Sequence, residues 1–243
     1  MKRTVVGVAA LVCTLFVTAC QDEQPAERES RNLTETLLNA PVSQFEPPPR
    51  ELESPIPLEL LGFDLGAVDA PLVMIEMSDY GCGYCRQFHM ETFPVILEEF
   101  IASGKVAWKF MPFVTGMFDN SLVATMAAEC TLAQSDELFV VMSERLWADQ
   151  AEWKRGDDPE GLTRGWAQEL GADMTAFDQC VSQEERLDRI ASATGVAGQL
   201  GIRGTPTFLI PGYPPIQGAL PTETFKEVLN MLHEELTAKA EPR

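Results

Sequence analysis

The apolar run Leu72-Val73-Met74-Ile75-Glu76-Met77 stops at Ser78-Asp79-Tyr80-Gly81, and Cys82-Gly83-Tyr84-Cys85 follows at once. A run this continuous reads as a central strand covered on both faces. From Cys82 the spacing turns helical, with Tyr84, Phe88, Val95, Leu97 and Phe100 as core positions and Pro94 as a kink or restart. Val106 to Phe113 supplies the next strand. Strand, helix and strand in this order make a right-handed crossover between two parallel strands. The paired cysteines are therefore predicted in the first turn of a helix, at the end of a central strand.

That position has chemical consequences. Unpaired backbone N–H groups and the positive end of the helix dipole stabilise a thiolate at Cys82, lowering its pKa from about 8.5. Cys82 is expected to be the nucleophile and the solvent-exposed thiol. Cys85, one turn further in, suits the resolution of a mixed disulfide formed at Cys82. A lone CxxC also fits half of a zinc site or an inert disulfide. Zinc needs two further ligands, and the mature chain offers only His89, His233, Cys130 and Cys180, none arranged as a second pair. Neither a metal nor a cofactor is expected.

The chain has 243 residues, 45% hydrophobic and 23% charged, which fits one globular domain carrying an insertion. Between Asp119 and about Gly201 the pattern is almost wholly helical, broken at Ser135, at Gly156-Asp157-Asp158-Pro159 and at Gly171. Trp147, Trp153, Trp166 and Phe177 are expected to fill a second core there. Cys130 and Cys180 fall in apolar helical stretches of this segment; in an exported protein they are expected to pair as a structural disulfide, two free buried thiols being the alternative. Gly204 to Ile210 is a short strand containing a proline, Pro214 to Gly218 its hairpin partner, and Pro221 opens a last helix with Phe225, Val228, Leu229 and Leu232 inward.

The N-terminus reads as an address label. Lys2 and Arg3 precede an uncharged, largely apolar stretch from Thr4 to Thr18, and small Ala19 precedes Cys20. Val17-Thr18-Ala19-Cys20 resembles the lipobox of bacterial lipoprotein signal peptides, which implies cleavage before Cys20 and lipid attachment to it. A plain secretory signal is the alternative; the stretch is shorter than the roughly 20 residues a membrane span requires. Gln21, where an Asp would resemble an inner-membrane retention signal, favours the outer membrane. From Gln21 to about Pro57 the chain is rich in Pro, Glu, Gln and Ser and reads as a tether, with Asn32 to Ala40 as one short amphipathic helix. Loss of Lys2 and Arg3 with the signal lowers Lys+Arg from 18 to 16 against 37 Asp+Glu and moves the net charge from −19 to −21. A surface this negative repels phosphate backbones, so nucleic acid is excluded as a partner.

Glu76-Met77-Ser78-Asp79-Tyr80-Gly81-Cys82-Gly83-Tyr84-Cys85-Arg86-Gln87-Phe88-His89, taken with Gly204-Thr205-Pro206-Thr207-Phe208, resembles the DsbA-like branch of thioredoxin-fold oxidoreductases. The similarity runs from about Leu58 to Leu236. It implies a cis bond between Thr205 and Pro206, with the Thr205 backbone alongside Cys82 to bind an extended substrate strand, and Gly204 permitting close approach; a trans proline that merely starts a strand is the alternative. It also implies that Glu76 lies beneath the active site as proton acceptor for Cys85, with burial raising its pKa, against the plainer reading of an exposed strand-end carboxylate. The Gly83-Tyr84 pair departs from the pairs frequent in DsbA-like oxidases and resembles that of DsbC-type isomerases, whose dimerisation domain the stretch before Leu58 is too short and too polar to supply. Met77, Met90, Met111 and Met117 either soften a substrate groove or, in the plainer reading, fill the core.

These readings combine into an α/β thioredoxin-like fold with a mixed central sheet and an inserted helical subdomain. Residues 1–19 are assigned to the signal peptide, 20–57 to the lipid-anchored tether, 58–118 and 191–243 to the two parts of the thioredoxin-like domain, and 119–190 to the insertion. The expected function is oxidation of substrate cysteine pairs in the envelope through a Cys82/Cys85 disulfide. A reductase or isomerase of the same fold is the alternative, and a non-catalytic binding lipoprotein the reading from another class. The expected partners are unfolded or cysteine-containing envelope proteins and a redox partner, with the membrane reached only through the lipid on Cys20.

Overall fold

The structure is a computed structural model and describes residues 52–240. Cys20, the signal segment and most of the expected tether lie outside the described residues. Leu52 and Ile56, placed in the tether by composition, pack against a core cluster around Leu61 and Met111, and Glu53 exchanges hydrogen bonds of 2.8 and 2.7 Å with Gln199. The packed domain thus begins before Leu58.

Five strands form one mixed sheet in the order β1-β3-β2-β4-β5: β1 (Phe63–Leu65), β2 (Leu72–Ser78), β3 (Val106–Pro112), β4 (Thr207–Leu209) and β5 (Ile216–Gln217). β2 and β3 run parallel with Leu72 opposite Val106 and Glu76 opposite Phe110, as a strand–helix–strand crossover requires. β1 pairs antiparallel with β3, and β4 with both β2 and β5. The sequence pattern did not reveal β1, an edge strand of three residues. Gly62 and Gly66 flank it at φ 70° and 88°, and a Cβ on Gly62 would stand 2.2 Å from the Phe110 oxygen, so only glycine fits that turn.

Side chains alternate across the sheet. Leu72, Met74, Val106, Trp108 and Phe208 face one layer, made of helix α1 (residues 83–101) and the C-terminal helix α8 (Thr222–Ala240), whose Phe225, Val228, Leu229 and Leu232 are all buried. Met77, Met111 and Phe113 face the other layer, helix α7 (Leu187–Gln199), through Ala193, Val196 and Ala197. Glu76 belongs by parity to the α1 face, at the end of the strand nearest the cysteines.

Helix α1 is continuous but not uniform. Gly83–Gln87 and Phe93–Ile96 are α-helical, whereas Phe88–Thr92 and Leu97–Ile101 are wider π turns; the Phe93 N–H bonds the Phe88 oxygen just before Pro94, which has no N–H to give. Mixing the two turn widths brings the buried face round every fourth residue: Phe88, Thr92, Ile96 and Phe100. Three core positions expected from strict α spacing are therefore corrected. Tyr84 and Leu97 are exposed, and Val95 is half-buried.

Between β3 and β4 lie α2 (Ser121–Leu132), α3 (Asp136–Ala148), α4 (Gln150–Arg155), α5 (Pro159–Glu169), α6 (Met174–Ser182) and α7. The breaks have local causes. Ser135, Asp158 and Asp173 each accept N–H bonds from the helix they precede, and Pro159 sits where the first turn needs no donor. Breaks at Asp149 and over residues 183–186 were not visible in the pattern. Trp147, Trp153, Trp166 and Phe177 share one core cluster, and Cys130 of α2 is joined to Cys180 of α6. Arg189 of α7 ties the layers together, donating to buried Glu129 at 2.8 Å and to the Gly62 carbonyl. Burial raises the pKa of Glu129, and Arg189 opposes that shift. Among the described residues, no helix is long and apolar enough to cross a membrane.

Candidate active site

Cys82 is the N-cap of α1 in extended conformation (φ −77°, ψ 125°), and Cys85 lies within the first turn. Both are free thiols. The expectation that Cys82 is openly exposed is corrected: it retains 4% of its surface, against 0% for Cys85. The cover comes from the loop before β4. Thr205-Pro206 is a cis peptide, and the Thr205 carbonyl oxygen accepts a 3.3 Å hydrogen bond from the Cys82 thiol. Among the described residues, its chain neighbours aside, nothing lies within 4 Å of where a Cβ on Gly204 would stand.

The two sulfurs are electrostatically unlike. The Cys82 pKa falls from about 9 to about 6; the Cys85 thiol contributes most, burial opposes, and the Thr205 hydroxyl and the N–H groups of Cys85 and Tyr84 add to the lowering. The N–H groups at the start of the helix thus act on Cys82 together with the Cys85 thiol. Burial pushes Cys85 well above the ordinary thiol range, as does its donation to Cys82. Ser78 Oγ, buried and without another partner, faces Cys85, as does the Asp79 N–H.

Three groups that sequence reasoning did not single out shape the loop before the helix. The buried Asp79 carboxylate accepts bonds from the Gly81 N–H (2.9 Å), the Thr115 N–H (3.0 Å) and hydroxyl (3.2 Å), and Ser121 Oγ, while its carbonyl accepts from the Cys82 N–H at 2.9 Å. Gln150 Nε2 donates to the carbonyls of Tyr80 (2.6 Å) and Cys82 (2.9 Å), and Lys154 Nζ to that of Gly81. Apart from the local bonds of Asp79 to Gly81 and Cys82, these contacts join residues at least 36 apart in the chain, and no sequence signal marked them.

Glu76 is fully buried, which removes the exposed-carboxylate reading. One oxygen pairs with His89 Nε2 at 2.8 Å and the other accepts from Trp108 Nε1 at 3.2 Å. His89, the nearest ligand a zinc site would have used, stacks on Trp147 at 4.5 Å, and Trp147 packs on Tyr80 at 4.4 Å. These rings and Met90 border an apolar groove of about 380 Å³ between α1 and α3. The methionines divide: Met77 and Met111 fill the core, whereas Met90 and Met117 are exposed.

Known proteins resemble this chain in sequence and in fold. Disulfide bond formation protein D of Bacillus subtilis is 29% identical over 154 residues, covering 60% of this chain and 66% of that protein. Na(+)/H(+) antiporter NhaA 3 of Salinispora tropica is also 29% identical, over 150 residues, but the chain spans only 21% of its length. Among solved structures, alpha-DsbA1 of Wolbachia pipientis superposes with a TM-score of 0.66 at 26% identity, covering 75% of this chain and 98% of that one. The family model described as thioredoxin matches residues 62–231, from the turn before β1 into α8, and the chain accordingly belongs to the thioredoxin family, in its DsbA-like branch.

Proposed function

We propose that this protein is a thiol:disulfide oxidoreductase of the cell envelope that oxidises substrate cysteine pairs through a Cys82–Cys85 disulfide. One observation carries the reading: a thiol lowered to about pKa 6 at a helix N-terminus, beside a buried thiol raised well above the usual range and beneath the Thr205 backbone. A substrate thiolate attacks Cys82 Sγ in the disulfide, and Cys85 leaves as a thiolate that takes up a proton. A second substrate thiolate then attacks the substrate sulfur bound to Cys82, which leaves as a thiolate. Two electrons pass from the substrate to the Cys82/Cys85 pair. Of the two substrate protons, Cys85 retains one and solvent receives the other, because Cys82 stays ionised at neutral pH.

Gly204, Thr205 and Pro206 form the substrate edge, where a peptide in extended conformation bonds the Thr205 backbone. Glu76 acts as proton acceptor for Cys85, with His89 and Trp108 holding its carboxylate. Substrates are cysteine-containing envelope proteins, and a separate redox partner reoxidises the dithiol. A lipid on Cys20 anchors the protein, in the outer membrane by the Gln21 argument; loss of lipid labelling in Cys20→Ala checks that assignment.

Stabilising the reduced form through Cys82 makes the disulfide an oxidant, so equilibration with glutathione is expected to give a potential on the order of −120 to −200 mV. The Gly83-Tyr84 pair favours the second reading, a reductase or isomerase, and a value near the roughly −270 mV of thioredoxin would select the reductase.

A further inference from the structure

The carbonyl oxygens of Tyr80, Gly81 and Cys82, which immediately precede the redox helix, are all engaged by two side chains of one short helix in the insertion. Gln150 Nε2 reaches Tyr80 O at 2.6 Å and Cys82 O at 2.9 Å, and Lys154 Nζ reaches Gly81 O. The two residues stand four apart on α4, one above the other on the same face. Gln150 is buried, and Lys154 is held over the Phe118 ring at 4.7 Å. Phe118 in turn packs on Gly81, where an added Cβ would lie 2.4 Å from the Phe118 Cβ. Asn120 fixes the helix itself, bonding the carbonyls of Trp153 and Lys154 at 3.0 and 3.3 Å. The anchoring extends from the start of α2 through α4 to the redox loop.

Carbonyl oxygens and N–H groups act on a thiolate with opposite sign. Peptide units that turn so that the N–H groups face Cys82 Sγ leave their carbonyls to be satisfied elsewhere. The Cys82 carbonyl also accepts the Arg86 N–H at 3.1 Å, but in a loop without external donors the Tyr80 and Gly81 carbonyls are free to swing toward the sulfur and repel its charge. We infer that Gln150 and Lys154 are positioning residues of the redox centre, clamping the Tyr80–Cys82 carbonyls so that the helix N-terminus stays presented to Cys82 Sγ. The inserted helices thereby set the strength of the dithiol, not merely the shape of the surface around it. This inference rests on the oxidoreductase reading above and names residues that tune the same site.

Gln150→Met and Lys154→Met remove the donors and keep the length of the side chains; Lys154→Arg keeps cation and donor. Glu152→Gln, an exposed site on the same helix, makes a net-charge change of the size and opposite sign of Lys154→Met. Ultraviolet absorbance of the thiolate is followed against pH in each reduced full-length protein, with far-ultraviolet circular dichroism to establish folding. Each Met variant is expected to raise the proton affinity of Cys82 about three- to ten-fold and to lower the equilibrium constant for oxidising glutathione by a similar factor, as loss of a hydrogen bond supporting a charged group implies. Lys154→Arg and Glu152→Gln are expected to titrate like the parent. Lys154 is only half-buried, so its variant tests the clamp even if Gln150→Met does not fold. A folded Lys154→Met protein titrating with the parent would overturn the inference, as would a shift of equal size and opposite sign in Glu152→Gln. A parent that neither exchanges disulfides nor shows a lowered thiol overturns the oxidoreductase reading instead, and the parent curve alone decides which has failed.

Discussion

The Sγ of Cys82 and the backbone oxygen of Thr205 lie 3.3 Å apart although 123 residues separate them in the chain. All six helices from α2 to α7 are threaded between these two residues. The loop covers one flank of the Cys82 sulfur without bonding it covalently, so a substrate strand bonded to Thr205 would lie along the sulfur.

The first prediction concerns which sulfur reacts. In the reduced protein iodoacetamide is expected to label Cys82 before Cys85, with a rate that is near its plateau at neutral pH and half-maximal near pH 6. Peptide mass spectrometry after short exposures locates the label. Preferential labelling of Cys85 would reverse the assigned roles.

The reduced form should carry a pH dependence of stability, from the two thiols, that the oxidised form lacks. The folded-state pKa of Cys82 is depressed to about 6 from about 9, so its contribution is complete above the unfolded value and is lost as pH falls through 6. Cys85 has the opposite sign: its raised pKa costs stability as pH rises above the ordinary thiol value, where only the unfolded chain ionises. The difference in melting temperature between reduced and oxidised protein is therefore expected to grow from pH 6 toward 9 and to flatten or fall beyond it. A difference that stays constant over that window would contradict the asymmetry of the two thiols.

Asp79 bonds two backbone N–H groups, of Gly81 and Thr115, one on each carboxylate oxygen. Asp79→Asn must turn its NH2 toward one of them, leaving a buried donor facing a donor. The expected cost is about 1–3 kcal/mol by denaturant unfolding, with Asp79→Ala costing more because both lose their acceptor. Equal stability of parent and Asn variant would show that the carboxylate is not buried as described.

The chemistry was legible in the sequence where it depends on residue type at short spacing: Cys82 and Cys85 at the end of an apolar strand, and Thr205-Pro206 opening another. What stayed hidden are contacts made through the insertion. Gln150 meets Tyr80 across 70 residues and Ser121 meets Asp79 across 42, and no periodicity encodes such a meeting. Tyr84 and Leu97 were misplaced for a different reason, since π turns change the residues per turn without leaving a compositional mark beyond Pro94. His89 was visible only as a stray ligand. Its pairing with Glu76 follows from strand parity and a helix register that only the folded chain supplies.

Cys130 and Cys180 close a loop with a sequence separation of 50 between α2 and α6. In the chain-entropy model, Cys130→Ser/Cys180→Ser is expected to lose about 4 kcal/mol of stability, with the Cys82 titration unchanged. Unfolding of the oxidised parent and the double variant under identical conditions measures the first, and thiolate absorbance the second. A shift in the Cys82 titration would mean that this bond also supports the redox loop.

Glu76 offers a test in which stability and proton transfer separate. Trp108 Nε1 is a donor only, so in Glu76→Gln the amide oxygen must face Trp108 and the NH2 must face His89. His89 can accept that bond by moving its proton to Nδ1, so the variant keeps both contacts and is expected to lose only about 1 kcal/mol. Glu76→Leu leaves the Trp108 donor and His89 without their acceptor and is expected to lose about 2–4 kcal/mol. If Glu76 takes the proton of Cys85, Glu76→Gln slows the step in which Cys85 acts as nucleophile, and the slowing is offset at high pH, where hydroxide removes that proton. Single-turnover release of a mixed disulfide at Cys82, followed against pH in parent and Gln variant, reads this directly. Identical pH–rate profiles in the two proteins would assign Glu76 a purely structural place beneath the helix.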